Sequence, residues 1–428
     1  MTDPDFTSTR QMLSPGALAG ERIIVVPNEL PLPVNSGGRV DVWRRLLALR
    51  GAGATMGLLT WFDGPRDGEP GAELRAQLAA HCESVHLACI SRRPAELFGR
   101  LLNSWRWPSH VASRWVTLDR PRTLEWARVF RPTLLLADGL YGAHIVRWLA
   151  AELGVPWIYR SHNIEHHYMQ MQLAQASRLK SRLGLMANLW GLARFEREVQ
   201  ARAGAVLDIS TSDMAYWRAQ GIIHSHWMPP IVDRGFAEQL AGASSASRPY
   251  HAMYFGNLNT PNNVEAVRWF VQRVLPLVRA PDYRFAIAGS RPAAEVEALA
   301  RSDGRIQLIP NPVDIAPLLA QARVLVNPVQ GGSGVNLKSV EMLYSQAQLL
   351  STRIGVQGLP AEVAECFTQA DDPQSFADQL QALASVDAPV LDAQGRRLQA
   401  RACFSAEQAV SSFADAIRPL SPGLARVA

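Results

Sequence analysis

Lys338 and Glu341 stand three residues apart, just after the turn Gly331-Gly332-Ser333-Gly334, in the stretch NPVQGGSGVNLKSVEMLYSQAQLLSTRIGVQGL from Asn327 to Leu359. Residues at i and i+3 share one face of a helix, so the ammonium and the carboxylate can reach one ligand carrying a phosphate and a hydroxylated ring. Glycines before a helix let backbone N–H groups approach an anion. The spacing is not that of a P-loop, since no Gly-Lys-Ser/Thr follows, nor is it the GxGxxG of a dinucleotide turn. A second reactive cluster is Ser161-His162-Asn163-Ile164-Glu165-His166-His167. Here His162-x-x-Glu165-His166 matches the inverted zinc-protease pattern HxxEH, whose two histidines must sit one turn apart on a regular helix with a remote third ligand. The first histidine, however, falls at the carboxyl end of a predicted strand. The other reading is a histidine at a ligand-binding strand end, and an ordinary structural histidine is the third.

The elements that position these groups follow from pattern. RVLVNPV ends at Pro328 and reads as a buried strand. Val335, Leu337, Val340, Leu343 and Tyr344 fall on one helical face, and QLLST gives another strand. Earlier, RIIVVPN (22–28) is a continuous apolar strand of the parallel type. It enters Pro31-Leu32-Pro33-Val34-Asn35-Ser36-Gly37-Gly38, a helix from Arg39 to about Leu49 closed by Gly51 and Gly53, and a second strand, ATMGLLTW. TLLLA (133–137) delivers Asp138, Gly139 and Tyr141 to a strand's carboxyl end, where ligand loops of open α/β sheets belong. A helix over 143–153 and the strand VPWIYR then lead to His162. AVLDIS (205–210) precedes Thr211-Ser212-Asp213, a Ser-x-x-Asp cap. AMYFGNLN (252–259) runs into Thr260-Pro261-Asn262-Asn263 and a helix to about Arg279. YRFAIAGS (283–290) and RIQLIP (305–310) follow, the latter ending in Asn311-Pro312-Val313-Asp314, and SFADQLQALA (375–384) reads as a helix.

Strands alternate with helices throughout, and 428 residues exceed one ordinary core, so the expected fold is α/β: two Rossmann-like, doubly wound parallel-sheet domains facing a cleft. The expected division is a flexible arm over 1–20, a first domain over 21–233, a linker over 234–250 containing the small, polar AGASSASRP, a second domain over 251–405, and a tail over 406–428 that crosses back onto the first domain.

The string Gly-x-Gly-x3-Lys-x2-Glu, a strand ending Ser-Thr and then Gly-x2-Gly-Leu resembles the nucleotide-sugar motif of retaining GT-B glycosyltransferases of family GT4. The resemblance spans roughly residues 21–415 and is strongest in the carboxyl-terminal half. It implies that Lys338 neutralises the donor diphosphate and Glu341 holds the ribose hydroxyls, with His162 the third catalytic residue, close to the transferred sugar. Gly37 and Gly38 would lie beside the donor phosphates or the acceptor, with Arg39 as an anion contact; Gly256 and Asn257 would face the phosphates, with Gly332, Ser333, Gly334, Val335 and Asn336 forming the anion turn and Asn311 and Val313 wrapping the base. Asp138, Tyr141, Asn163, Glu165 and Asp213 would line the acceptor side of the cleft. Many members carry a glutamate where this chain has Ser333, and a second basic residue near Gly256 where this chain has only Gly256, Asn257, Asn262 and Asn263. The implied reaction is transfer of a sugar from a nucleoside diphosphate sugar to a saccharide or polyprenyl-linked acceptor, with retained configuration, no metal and no separate cofactor, in polysaccharide or glycan biosynthesis. A nucleotide-sugar 2-epimerase and a catalytically degenerate binding subunit on the same fold are the competing readings.

Composition narrows the alternatives. Hydrophobic residues make up 48% and charged residues 19% of the chain, as in globular enzymes. The four cysteines, Cys82, Cys89, Cys366 and Cys403, show no CxxC spacing, which points to thiols in a reducing compartment. The amino-terminal residues lack an apolar signal region and no run has the length of a membrane span, so a cytoplasmic location is expected. The net charge of +5 suits anionic ligands or an anionic membrane surface. No basic block interleaved with aromatics suggests nucleic acid. Two Trp/Arg-rich stretches leave two readings open. The stretch 92–126 looks irregular and 178–202 has helical spacing; either both cover a sheet, or they touch the inner face of a membrane.

Overall fold

The computed structural model describes residues 16–34, 36–64, 68–90, 93–176, 179–243, 247–385 and 395–421. Its strands form two all-parallel sheets. The first contains β1 (Arg22–Pro27), β2 (Thr55–Asp63), β3 (Ser84–Ile90), β4 (Leu134–Asp138), β5 (Trp157–Ser161), β6 (Val206–Asp208) and β7 (Ser225–Trp227), in the order β3-β2-β1-β4-β5-β6-β7. The second contains β8 (Tyr250–Asn257), β9 (Phe285–Ser290), β10 (Ile306–Pro310), β11 (Ala322–Asn327), β12 (Gln348–Ser351) and β13 (Thr368–Gln369), in the order β10-β9-β8-β11-β12-β13. This is the two-domain GT-B architecture. In each sheet the chain winds outward from its first strand and then returns to build the other side. The reversal lies between β1 and β4 in one sheet and between β8 and β11 in the other, and it opens a crevice at the strands' carboxyl ends.

Alternation along β1 explains its unbroken apolar run. Ile24 and Val26 pack with Trp61, Leu135 and Ala137 on one face, while Ile23 and Val25 pack with Met56, Leu58 and Leu136 on the other. Helices cover both faces, so every residue of the strand interior is buried. The second layer also takes Ala409, Phe413 and Ile417 from the helix Ala406–Ile417. This helix is therefore built into the first domain's core, with Ser405 capping it through Gln408 N at 3.1 Å.

Several expectations need correction. Residues 16–20 belong to a turn whose Leu18 is fully buried in the first core, not to an arm; residues 1–15 lie outside the described residues. The expected linker contains a helix, Arg234–Gly242, capped by Asp233 accepting from Phe236 N at 2.8 Å and anchored by buried Leu240. The stretch 92–126 holds three helices, Pro94–Asn103, Ser109–Thr117 and Arg120–Phe130. Its prolines misled the pattern: Pro94, Pro108 and Pro121 sit at or beside helix starts, where a missing N–H costs nothing. The helix expected to run to about Arg279 starts at Pro261, so that it includes Asn262 and Asn263, leaves α geometry at Phe270 and ends in a short 3-10 turn, Leu275–Leu277. Val335 precedes its helix, Leu337–Met342, which Asn336 opens.

Candidate functional site

A cleft of about 1120 Å³ runs between the two sheets' carboxyl edges. A second hollow of about 650 Å³ lies beside Arg22 and Phe130, at the amino end of β1, and gathers no comparable set of polar groups.

On the carboxyl-terminal wall the central group is Lys338, which is 8% exposed. Its Nζ lies 3.7 Å from the centroid of the Tyr254 ring and donates to Asn263 Oδ1 at 3.2 Å. The Tyr254 hydroxyl donates to the same oxygen at 2.7 Å, and Asn263 Nδ2 donates to Asn257 O at 2.9 Å. The ammonium is thus held by an amide oxygen and a ring face, not by a carboxylate. Burial pulls its pKa well below the usual lysine range, against the partial support of Glu341. Gly256 makes this placement available: with φ +146°, a Cβ there would come 3.3 Å from Lys338 Cε. Glu341 accepts from both Arg44 Nη1 and Nη2 at 3.2 Å, across the cleft from helix Gly37–Gly51, and Arg44 Nη1 also holds Ile231 O at 3.1 Å. Burial nevertheless raises the Glu341 pKa.

The opposite wall is built on β4 and β5. Asp138, at the end of β4, accepts from Arg45 Nη2 at 2.6 and 2.7 Å and lies 2.8 Å from His162 Nε2. Arg45 Nη1 also donates to Asp41 at 2.6 Å, and Arg160 closes on Asp41 at 3.5 Å. Two buried guanidinium groups therefore face two buried carboxylates. Burial alone would raise both aspartates; Arg45, with Arg160 and His162 at Asp41 and with His162 at Asp138, outweighs it and keeps both ionised. His162 is fixed at the cleft by this frame. One turn further on, Tyr141 Oη donates to Glu165 Oε2 at 3.4 Å. Glu196 accepts from Glu165 N at 2.8 Å and His166 N at 3.1 Å, capping helix Glu165–Gln175, and lies 2.6 Å from His166 Nδ1. Burial, then the charge of Glu196, pushes the Glu165 pKa up to about 8.

That geometry decides the HxxEH pattern against a protease-like pair. His162 precedes the helix, and the two histidines are engaged by different carboxylates, Asp138 and Glu196.

The two walls touch at backbone level. A Cβ on Gly334, where φ is +68°, would fall 2.5 Å from His162 O. Thr211 N donates to Gly358 O at 2.9 Å, joining the loop after β6 to the turn after β12. Beside Gly334, Ser333 Oγ and Asn163 Oδ1 are buried without a protein hydrogen-bond partner; such groups are costly unless satisfied.

Of the residues singled out from sequence, the cleft brings together Gly37, Gly38, Arg39, Asp138, Tyr141, His162, Asn163, Glu165, Gly256, Asn257, Gly332, Ser333, Gly334, Val335, Asn336, Lys338 and Glu341. Arg39 is paired with Glu29 at 2.6 Å. Asn311, Val313 and Asp213 do not line it: Val313 is fully exposed, Asn311 Oδ1 accepts from Arg291 N at 2.8 Å, and Asp213 is buried below, its pKa raised to about 6 mainly by burial. Sequence reading missed Asp41, Arg44, Arg45 and Arg114. An acid and a base at i,i+4 on the buried face of a helix, Asp41 and Arg45, was the available signal.

Residues 249–385 match the family model described as glycosyl transferases group 1. A Klebsiella pneumoniae protein, described as an uncharacterized 44.6 kDa protein in the cps region, is 24% identical over 365 residues, 83% of this chain and 89% of its own. Among solved structures, sucrose-phosphate synthase from Thermosynechococcus elongatus superposes with a TM-score of 0.64 at 17% identity, over 94% of this chain and 99% of that one. Anabaena Alr3699/HepE in complex with UDP gives a TM-score of 0.59 at 12% identity, over 94% and 100%.

Proposed function

We propose that this chain is a GT-B glycosyltransferase that moves a sugar from a nucleoside diphosphate to a saccharide or lipid-linked acceptor, with retention and without a metal. The observation that carries the reading is Lys338, a buried ammonium held by neutral groups in a cleft. A buried cation without a counter-charge is costly, and a diphosphate supplies that charge. Glu341, one helical turn away, is placed for the ribose hydroxyls. The unpartnered Ser333 Oγ and Asn163 Oδ1 stand where hydroxyls of the transferred ring would satisfy them, with Ser333 in place of the longer glutamate of many relatives. His162, held by Asp138, approaches the same ring from the other wall.

In the reaction the bond between the anomeric carbon and the diphosphate breaks as its charge grows against Lys338. The acceptor oxygen bonds to that carbon on the same face, and its proton passes to the departing phosphate. The contact between Gly334 and the His162 carbonyl closes the cleft and keeps water from the activated sugar.

The cps-region relative favours a role in polysaccharide biosynthesis. A peripheral, cytoplasmic-face membrane contact is part of the proposal. It rests on helices Pro94–Asn103 and Leu179–Leu189, which with the residues just after them expose Leu97, Phe98, Leu101, Trp105, Leu183 and Trp190 among arginines. No helix among the described residues is long and apolar enough to cross a membrane.

The test is a thermal-shift panel of nucleoside diphosphates and their sugars on wild type and Lys338→Ala. A ligand at 100 times its Kd adds about 2.7 kcal/mol. One diphosphate stabilising wild type but not the variant supports the donor site; no response from either across the panel sinks it.

A further inference from the structure

The amino-terminal wall holds a second buried cation, Arg114 on helix Ser109–Thr117, 7% exposed and lining the cleft. Its Nε and Nη2 donate to Asn28 O at 3.2 and 2.5 Å, and Nη1 donates to His110 O at 3.0 Å. All these acceptors are uncharged carbonyls. They use three of the five guanidinium N–H groups and leave two, one on each Nη, without an acceptor among the described residues. The nearest carboxylate influence, Glu29, is bound to Arg39 at 2.6 Å.

Apart from Glu29 and the like-charged Arg100, the titratable groups facing Arg114 are neutral near pH 7. Burial drives His110 down to about 4, keeps the Tyr141 phenol protonated and, with the charge of Glu196, raises Glu165 to about 8. The Tyr141 ring lies 5.1 Å from the guanidinium carbon, and its hydroxyl leads on to Glu165. Tyr141 follows Asp138 by three residues and Glu165 follows His162 by three, so this row runs beside the Asp138–His162 pair. The wall therefore carries a fixed positive charge, bordered by neutral hydrogen-bonding groups, next to the reacting centre. A guanidinium serving only as a staple between carbonyls has no need of the cleft, or of two spare N–H groups there.

We infer that this wall is the acceptor subsite and that the acceptor carries an oxyanion, a carboxylate or a phosphate, which pairs with the Arg114 fork. The inference rests on the transferase reading and adds the chemical class of its acceptor.

The experiment uses the full chain saturated with whichever nucleoside diphosphate stabilises it, so that anions are kept from Lys338. Two matched pairs are titrated calorimetrically: glucuronate against glucose, and glycerol 3-phosphate against glycerol. At least one anionic partner is expected to bind roughly tenfold or more tighter than its neutral twin. Arg114→Gln is expected to abolish that preference and to leave diphosphate affinity unchanged. Arg114→Lys keeps the charge without the fork; it is expected to retain a reduced preference and is the variant to read if Arg114→Gln does not fold. No preference in wild type, or an undiminished preference in either variant, overturns the proposal. If no diphosphate binds, the donor reading fails on its own account, and the same pairs on the ligand-free chain still decide Arg114.

Discussion

Lys338 and Arg114 pose the same problem at the residue scale: a buried cation whose protein partners are neutral. Glu165 is the complementary case, a carboxyl group raised by burial and by the charge of Glu196 until it is protonated at neutral pH. Its folded pKa, about 8, lies above the usual carboxylate value of 4.5. Native stability from this group is therefore fully present below about pH 4.5 and is lost as pH rises through 8, each tenfold difference in proton affinity between folded and unfolded chain being worth roughly 1.4 kcal/mol. Glu165→Gln removes that dependence. The melting temperature of the variant minus that of wild type is expected to grow between pH 5 and pH 8, measured by calorimetry; a constant difference would falsify the assignment. Tyr254→Phe probes the lysine cage: it keeps the ring under Nζ and removes the hydroxyl bound to Asn263. Loss of one net hydrogen bond should cost about 1 kcal/mol in stability. Diphosphate affinity is expected to fall no more than roughly tenfold, against the complete loss expected for Lys338→Ala; equal losses in isothermal titrations would show that the ring alone does not hold the lysine.

At the scale of elements, the anion turn was legible in the sequence because its chemistry is local. Gly331-Gly332-Ser333-Gly334, Lys338 and Glu341 stand within eleven residues, and strand β11 and helix Leu337–Met342 bring them to the cleft. The strands at the centre of each sheet were legible for a related reason: burial on both faces leaves only apolar residues. Arg44, Arg45 and Arg114 were not, because partners that fix them lie far along the chain, 93 residues away for Arg45 and Asp138, 297 for Arg44 and Glu341 and 86 for Arg114 and Asn28. The three helices over 94–130 were hidden by prolines that begin helices and by tryptophans and arginines that blur the period. Gly334 shows what only coordinates reveal, a glycine required by the facing domain. Gly334→Ala forces a side chain into the left-handed region, at about 1–2 kcal/mol, and also against the His162 carbonyl. The domains can relieve the clash by moving apart. Transfer is thus expected to fall at least tenfold with only a small drop in melting temperature, and small-angle scattering should show expansion. Gly304→Ala, away from the cleft, is the control, since nothing lies within 4 Å of the added Cβ. A Gly334→Ala chain with wild-type dimensions and activity would remove the contact from the mechanism.

Over the whole molecule, the chain is joined across the cleft in more than one way. The helix Ala406–Ile417 returns to the first domain's core and ties the two domains covalently at both ends of the second. Arg44 then spans the cleft noncovalently, holding Glu341 on one side and Ile231 O on its own. The pair is only partly exposed, at 18% and 20%, so breaking it costs more than a surface salt bridge, yet its partners sit on different bodies and neither domain's core depends on it. Arg44→Ala should therefore leave both cores folded and shift the molecule toward an open cleft. Under the proposed function the donor's contacts fall on Lys338 and Glu341 of one domain and survive that opening, whereas transfer also needs His162 and the acceptor wall of the other. The expected outcome is a diphosphate Kd within roughly threefold of wild type, a kcat lowered about tenfold or more, and a larger radius of gyration in the absence of ligand. If diphosphate affinity collapses while the dimensions stay unchanged, Arg44 is a ligand contact and not a tether, and closure rests on Gly334 and the Thr211–Gly358 junction alone.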